Sequence, residues 1–298
     1  MGRSICVRGM ISVWCAAVFC GAFLFAAAQN GGPAHGMWVW KGPSVAADAS
    51  GAEQLRDFCR AQGVNEIYIS IAHDKSADEQ FARLIELMHK ANIRVEALLS
   101  STDADEAGAP REKLLGHVRE VIEFNVEFNR DHPKRRFDGI HLDIEPQQRE
   151  ENKGAGNLRF LPGLAGAYRD VRALAEPEGL TVNADIQNKL LKGSADERRT
   201  LLTALPRVTL MMYEVSNPTD STEDKVAKVR SESRKYLEMA YDGLHDENLA
   251  RMAIGLRTPD YGTWTPTMLK EADAANRENA HYLGWAWHDY ADAQQAVH

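Results

Sequence analysis

Phe137-Asp138-Gly139-Ile140-His141-Leu142-Asp143-Ile144-Glu145-Pro146 decides how this chain is read. Side chains alternate along an extended strand, so Gly139, His141, Asp143 and Glu145 share one face while Asp138, Ile140, Leu142 and Ile144 share the other. Burying three ionisable groups on one strand costs several kcal/mol unless each is paired or put to use. An apolar face packed under helices and a polar face turned inward describe one strand of a closed barrel. The polar set would rise toward the C-terminal rim, where barrel active sites lie. Pro146 ends the strand and leaves Glu145 at that rim.

Seven further short apolar runs flank it: Gly36 to Trp40, Glu66 to Ala72, Ile93 to Leu99, Leu180 to Ile186, Val208 to Tyr213, Met252 to Leu256 and Tyr282 to Trp287. Each is rich in β-branched, aromatic or aliphatic residues and predicts a strand. Helical stripes separate them: Phe81, Leu84, Ile85 and Met88; Leu114, Val118, Val121 and Ile122; Leu161, Leu164, Tyr168 and Val171. Strict alternation means parallel strands with helical crossovers, and eight units in about 250 residues is the size of a single (β/α)8 barrel. No glycine-rich phosphate turn follows the first strand, which disfavours an open doubly wound sheet. Only Asp289 to His298 follow the eighth strand, so the last helix is expected to be short or missing.

Residues 1–28 stand apart. Arg3 and Arg8 precede an uncharged run from Gly9 to Ala28 that ends in three alanines, the pattern of a cleaved secretory signal. The expectation is a secreted or periplasmic barrel of residues 29–298 with no stable membrane insertion after cleavage. An uncleaved anchor is the alternative, since twenty uncharged residues are about enough to span a bilayer. The 298 residues are 44% hydrophobic and 26% charged, which excludes disorder. A net charge of −8, more negative still without Arg3 and Arg8, argues against nucleic acid as a partner. Three of the four cysteines lie in the signal, so Cys59 alone is left, with no internal disulfide and no cysteine metal site. Beside Leu55 and Phe58 it is read as a small buried apolar residue.

Taken alone, the polar face of the fourth strand admits three uses. His141 and Asp143 can form a buried pair that fixes the lumen, with Glu145 solvated above. His141, Asp143 and Glu145 can converge on a divalent ion, with His73 or His288 from other strand ends as further ligands. Or one carboxyl with a raised pKa donates a proton while its neighbour stays ionised. Asn183, Asp185 and Gln187 form a second inward stripe on the fifth strand, suited to sugar hydroxyls, water or a hydrogen-bonded lumen layer. Arg257 closes the seventh strand, where two-carboxylate barrels carry a nucleophile, and is expected to pair with Glu214 or Asp143. Trp38 and Trp40 share one face of the first strand, Trp285 and Trp287 one face of the eighth. These strands are neighbours in a closed barrel, so an aromatic wall for the apolar faces of sugars is expected there.

The stretch Asp138-Gly-Ile-His141-Leu-Asp143-Ile-Glu145 resembles the D-G-x-D-x-D-x-E signature of glycoside hydrolase family 18, the chitinases and endo-β-N-acetylglucosaminidases, with His141 in place of the middle Asp. Met211-Met212-Tyr213-Glu214 is similar to that family's M-x-Y-D. Ile254-Gly255-Leu256 with Pro259 and Tyr261-Gly262 is similar to its G-x-P-x-Y-G, and Trp287 stands near the family's strand-eight tryptophan. The family's S-x-G-G is replaced by Leu99-Ser100-Ser101-Thr102.

The resemblance implies a substrate-assisted retaining mechanism on an N-acetylglucosamine-containing glycan, with no cofactor and no protein nucleophile. Glu145 would be the acid and then the base. Asp143 would hydrogen-bond the acetamido N–H and stabilise the oxazolinium, Tyr213 would donate to the acetamido oxygen, and Met211 would share Tyr213's face. Strand geometry, rather than the resemblance, puts His141 one step below Asp143 and within pairing distance, where it would hold that carboxylate ionised. The alternatives in other classes are a catalytically silent carbohydrate-binding barrel and a metal-dependent hydrolase using His141, Asp143 and Glu145.

Overall fold

A computed structural model describes residues 32–73, 75–154, 158–217 and 219–297; the expected signal falls outside these residues. Eight parallel strands close into one barrel in sequence order: β1 (Ala34–Val39), β2 (Glu66–Ser70), β3 (Arg94–Ser101), β4 (Gly139–Ile144), β5 (Thr181–Gln187), β6 (Arg207–Met211), β7 (Arg251–Arg257) and β8 (Tyr282–His288). The expected strands fall within two residues of these bounds at most ends. Between them run α1 (Gly42–Ala47), α2 (Ala49–Gln62), α3 (Asp78–Lys90), α4 (Ala109–Glu123), α5 (Leu161–Ala175), α6 (Ala195–Leu202), α7 (Thr222–Tyr241), α8 (Thr258–Tyr261) and α9 (Thr265–Asn276). The last described element is α10 (Tyr290–Val297), about two turns long, in keeping with the short final helix expected.

The helical stripes bury as their spacing demands. Phe81, Leu84, Ile85 and Met88 of α3, Leu114, Val118 and Val121 of α4, and Leu161, Leu164, Tyr168 and Val171 of α5 join Ile140, Leu142 and Ile144 of β4 in the layer between sheet and helices. Local signals set the ends: Pro110 lies in the first turn of α4, Ser194 and Glu197 form a reciprocal capping box on α6, and Gly63 ends α2 at φ 72°. Cys59 lies in the same layer, and burial pushes its thiol pKa up to about 12, which leaves it an inert apolar filler. Among the described residues no helix is long and apolar enough to cross a membrane.

The lumen is filled by the opposite faces of the strands, and bonds that cross it show which side chains point inward. Arg207 of β6 reaches Glu66 of β2 at 2.7 and 2.8 Å, and Trp38 of β1 donates through Nε1 to Asp185 of β5 at 2.8 Å. Large rings fit because glycines face them. A Cβ on Gly36 would lie 2.3 Å from the Tyr68 hydroxyl oxygen, and one on Gly255 would lie 2.9 Å from the Trp38 ring. Gly255, one of the residues behind the family resemblance, has this steric role.

Candidate active site

The floor of the lumen is an ionic layer. Glu96 of β3, fully buried, accepts from Asn183 Nδ2 at 2.7 Å and meets Arg94 at 3.3 Å and His141 Nδ1 at 3.3 Å. Although burial opposes ionisation, His141, Arg207 and Arg94 hold its carboxyl well below the usual carboxylate range. Glu66 is held by Arg207 and by the Tyr68 hydroxyl at 2.6 Å.

His141 stands above this layer, its ring stacked on Tyr68 at 3.6 Å, with Nε2 on Asp185 Oδ1 at 2.9 Å and Nδ1 toward Glu96. Burial would lower the imidazolium pKa, but the charge of Asp185 and the bonds to Asp185 and Glu96 raise it to about 10. His141 is therefore a buried cation clamped between two carboxylates on neighbouring strands.

This corrects the expected pairing with Asp143. Residues i and i+2 of one strand are more than about 6 Å apart, whereas adjacent strands lie about 4.8 Å apart, so an inward side chain finds its partner across the sheet rather than along it. Of the two readings of the β5 stripe, Asp185 fits the hydrogen-bonded lumen layer, because both its oxygens are taken by Trp38 and His141. Asn183 belongs to the floor with Glu96. With both ring nitrogens engaged, His141 has no lone pair for an ion, which counts against the alternative of a metal triad of His141, Asp143 and Glu145.

One step higher Asp143 is 8% exposed, and its Oδ1 is buried without a partner. Burial, followed by the charges of Asp185 and Glu145, drives its pKa far above the usual range, and the His141 cation offsets this only in part. Asp143 is thus pushed toward its neutral form, whereas the expectation was a carboxylate held ionised by His141. Glu145, the residue after β4, is anchored by its N–H to the Ser101 carbonyl at 2.8 Å. Its carboxylate accepts from Gln187 Nε2 at 2.7 Å, Gln147 Nε2 at 3.0 Å and the Gln148 amide. Burial nevertheless raises its pKa, with Asp185 adding to the rise and the Gln187 and Gln147 amides opposing it. Two acids of heightened proton affinity thus stand one above the other at the rim.

A groove of about 750 Å³ opens over them, lined by Trp40, Ser100, Asp143, Glu145 and Gln148 and extending to His73 and His117. On the opposite side β6 ends at Met211, 9% exposed, and Tyr213 lies two residues beyond. The Tyr213 hydroxyl is buried without a partner, and burial together with Asp185, Asp143 and Glu145 pushes its pKa well above that of a free phenol. Arg257 lies over the Tyr213 ring at 5.3 Å and pairs with Glu214 at 2.7 Å and Asp260 at 2.9 Å, so of its two expected partners it takes Glu214.

The expected aromatic wall is not formed. Trp38 and Trp40 face inward, but Trp285 stacks on His35 at 4.3 Å, and Trp287 packs beside Phe58 of α2 and donates to Thr258 at 2.8 Å, both on the outer face of β8. The inward positions of β8 are Gly284, Ala286 and His288, because Trp38 and Tyr68 already fill the lumen beside Ala286. His288 accepts from Trp40 Nε1 at 2.9 Å and, rather than Trp287, occupies the lumen end of β8.

Glu66, Tyr68, Arg94, Glu96, Gln147, Gln148 and Arg207 escaped the sequence reading. Alternation in Glu66-Ile-Tyr68 and Arg94-Val-Glu96 is the signal that would have found the lumen members.

An inward-facing polar lumen with two acids at the C-terminal rim is the architecture of a barrel enzyme. No family model matches the chain, and no curated protein matches it in sequence. Solved structures match it in fold, among them GH18 chitinases and other glycoside hydrolases. The PgaB (BpsB) glycoside hydrolase domain from Bordetella bronchiseptica aligns at a TM-score of 0.51 and 12% identity over 90% of this chain and 96% of that one. The C-terminal domain of a putative chitinase from Desulfitobacterium hafniense DCB-2 gives 0.50 and 11% over 76% and 66%. A Group II chitinase catalytic domain from Ostrinia furnacalis, in complex with penta-N-acetylchitooctaose, gives 0.45 and 14% over 75% of this chain, which spans 63% of that one. At such identities the likeness is one of fold.

Proposed function

We propose that this protein is a glycoside hydrolase that cleaves an N-acetylglucosamine-containing glycan, with the substrate's own acetamido oxygen as nucleophile, and that its leader exports it. The observation that carries this reading is the stacked pair Asp143 and Glu145, both raised in proton affinity and both lining one groove. Glu145 protonates the leaving oxygen and then serves as base toward water. The unpartnered Oδ1 of Asp143 accepts the acetamido N–H. The unpartnered Tyr213 hydroxyl donates to the acetamido oxygen. Arg257, rather than a carboxylate, closes β7, which supports a mechanism without a protein nucleophile there.

A thiazoline analogue of N-acetylglucosamine is expected to inhibit at least about 10²-fold more tightly than the free sugar, as mimics of reaction intermediates do. Substrates without the 2-acetamido group are expected to resist cleavage. Efficient hydrolysis of a plain glucoside would require a protein nucleophile and would overturn the assignment.

The amide of Gln187 gives a second handle. It lowers the proton affinity of Glu145, so Gln187→Leu is expected to raise the Glu145 pKa. Because the acid must be protonated to act, the alkaline limb of the kcat/KM profile then moves upward. A limb that stays put or moves down in that variant separates Glu145 from the acid role.

A further inference from the structure

His73 leaves β2 in the segment before α3, while His117 and Glu120 lie one turn apart on α4. The three meet at the far end of the groove from Glu145. His73 Nδ1 lies 2.8 Å and His117 Nδ1 3.1 Å from the same oxygen, Glu120 Oε2, and the two rings stand 3.7 Å apart at an interplanar angle of 32°. One ligand atom from each lies within 4.8 Å of the other two. From these distances we infer that His73, His117 and Glu120 form a site for a zinc-class divalent cation, separate from the Asp143 and Glu145 pair.

The geometry suits the ion. Ligands of a tetrahedral ion bound at about 2.0–2.1 Å are roughly 3.3 Å from one another, so each imidazole nitrogen has to move only a few tenths of an ångström from the Glu120 oxygen as the ion replaces the imidazole protons, and the two histidine ligand atoms already lie within 4.8 Å of each other. Two imidazoles and one carboxylate match zinc, cobalt or nickel rather than calcium or magnesium, which take oxygen ligands. Three protein ligands leave a fourth position for water or an oxygen of a bound molecule.

Access and field agree with this. The side chains of His73 and Glu120 are 45% and 46% exposed, and that of His117 is 23% exposed, so an ion can enter without unfolding the rim. On the other side of the trio lies a second cavity of about 370 Å³, lined by His73, Glu120, Asp78, Glu123 and Glu127, with Lys75 as its basic residue. Its acidic lining draws cations toward the site. Bound there, the ion would tie the β2 exit to α4 and stiffen one wall of the groove.

The test does not depend on glycosidase activity. Zinc titrated into the full chain after chelator treatment is expected to bind at one equivalent, and cobalt to give the visible absorption of a tetrahedral site. Saturating zinc is expected to raise the melting temperature, reversibly by chelation. His73→Ala, His117→Ala and Glu120→Gln are each expected to weaken binding by about 10²-fold or more, beyond what loss of an outer partner costs a metal site. His132→Ala, on an exposed turn away from the trio, is expected to leave it unchanged. If His117→Ala fails to fold, the two half-exposed positions decide. No saturable binding, or binding that survives His73→Ala and Glu120→Gln, overturns the proposal.

Discussion

Glu145→Gln is expected to lower turnover by about 10²-fold or more, the contribution of a positioned general acid, while the fold and the affinity for a thiazoline analogue are kept. The substitution preserves side-chain size and removes only the transferable proton. The residue sits at the end of β4 with its backbone N–H bound to Ser101, so position is not lost with the proton. Measuring kcat and inhibitor affinity on the same preparation separates chemistry from binding. Turnover that is unchanged would take Glu145 out of the proton-donor role. The wild type binding the analogue but cleaving no glycan would instead describe a silent carbohydrate-binding barrel.

The largest stability effect is expected at His141. It is fully buried and its imidazolium faces Asp185 and Glu96, so His141→Ala leaves two buried carboxylates without their shared cation. Breaking a buried ion pair from one side costs about 3–5 kcal/mol, measured as the shift in denaturant midpoint at neutral pH. The direction of the pH dependence follows from the raised pKa. A folded-state value of about 10, above the ordinary 6.5, means that the stabilisation is fully present below 6.5. It is lost progressively as pH rises toward about 10, where the folded imidazole releases its proton. The wild type is therefore expected to weaken across that alkaline window and His141→Ala to lose that part of the slope. A variant destabilised by less than about 1 kcal/mol, or one with the wild-type slope, would show His141 to be neutral packing.

The barrel was legible because its signals are local. Eight apolar runs and the stripes between them follow from period 2 and period 3.6, and both survive into the structure with small changes at the ends. The inward set on β4 was legible for the same reason. What a strand cannot disclose is its neighbour's register. The level of Asn183 beside His141 is fixed by hydrogen bonding between β4 and β5, and only that register brings Asp185 to His141. Trp285 and Trp287 show the same limit in another form. Alternation says that they share a face, but which face is inward depended on the space left by Trp38 and Tyr68. Of the three glutamines around Glu145, alternation on β5 disclosed Gln187, whereas Gln147 and Gln148 lay outside any period because they belong to the turn after Pro146.

The bond from Trp38 to Asp185 joins residues 147 positions apart, and β1 finds its second neighbour only in β8. The environment of the acids is therefore a late event in the life of each molecule. While the chain is being made, β1 has an open edge for as long as the last strand is missing, and Asp185 faces a lumen not yet sealed. Pairing over such distances in sequence makes folding slow. A chain that stops before Tyr282 would then lack a finished site, because β1 would keep an unpaired edge and the lumen would stay open.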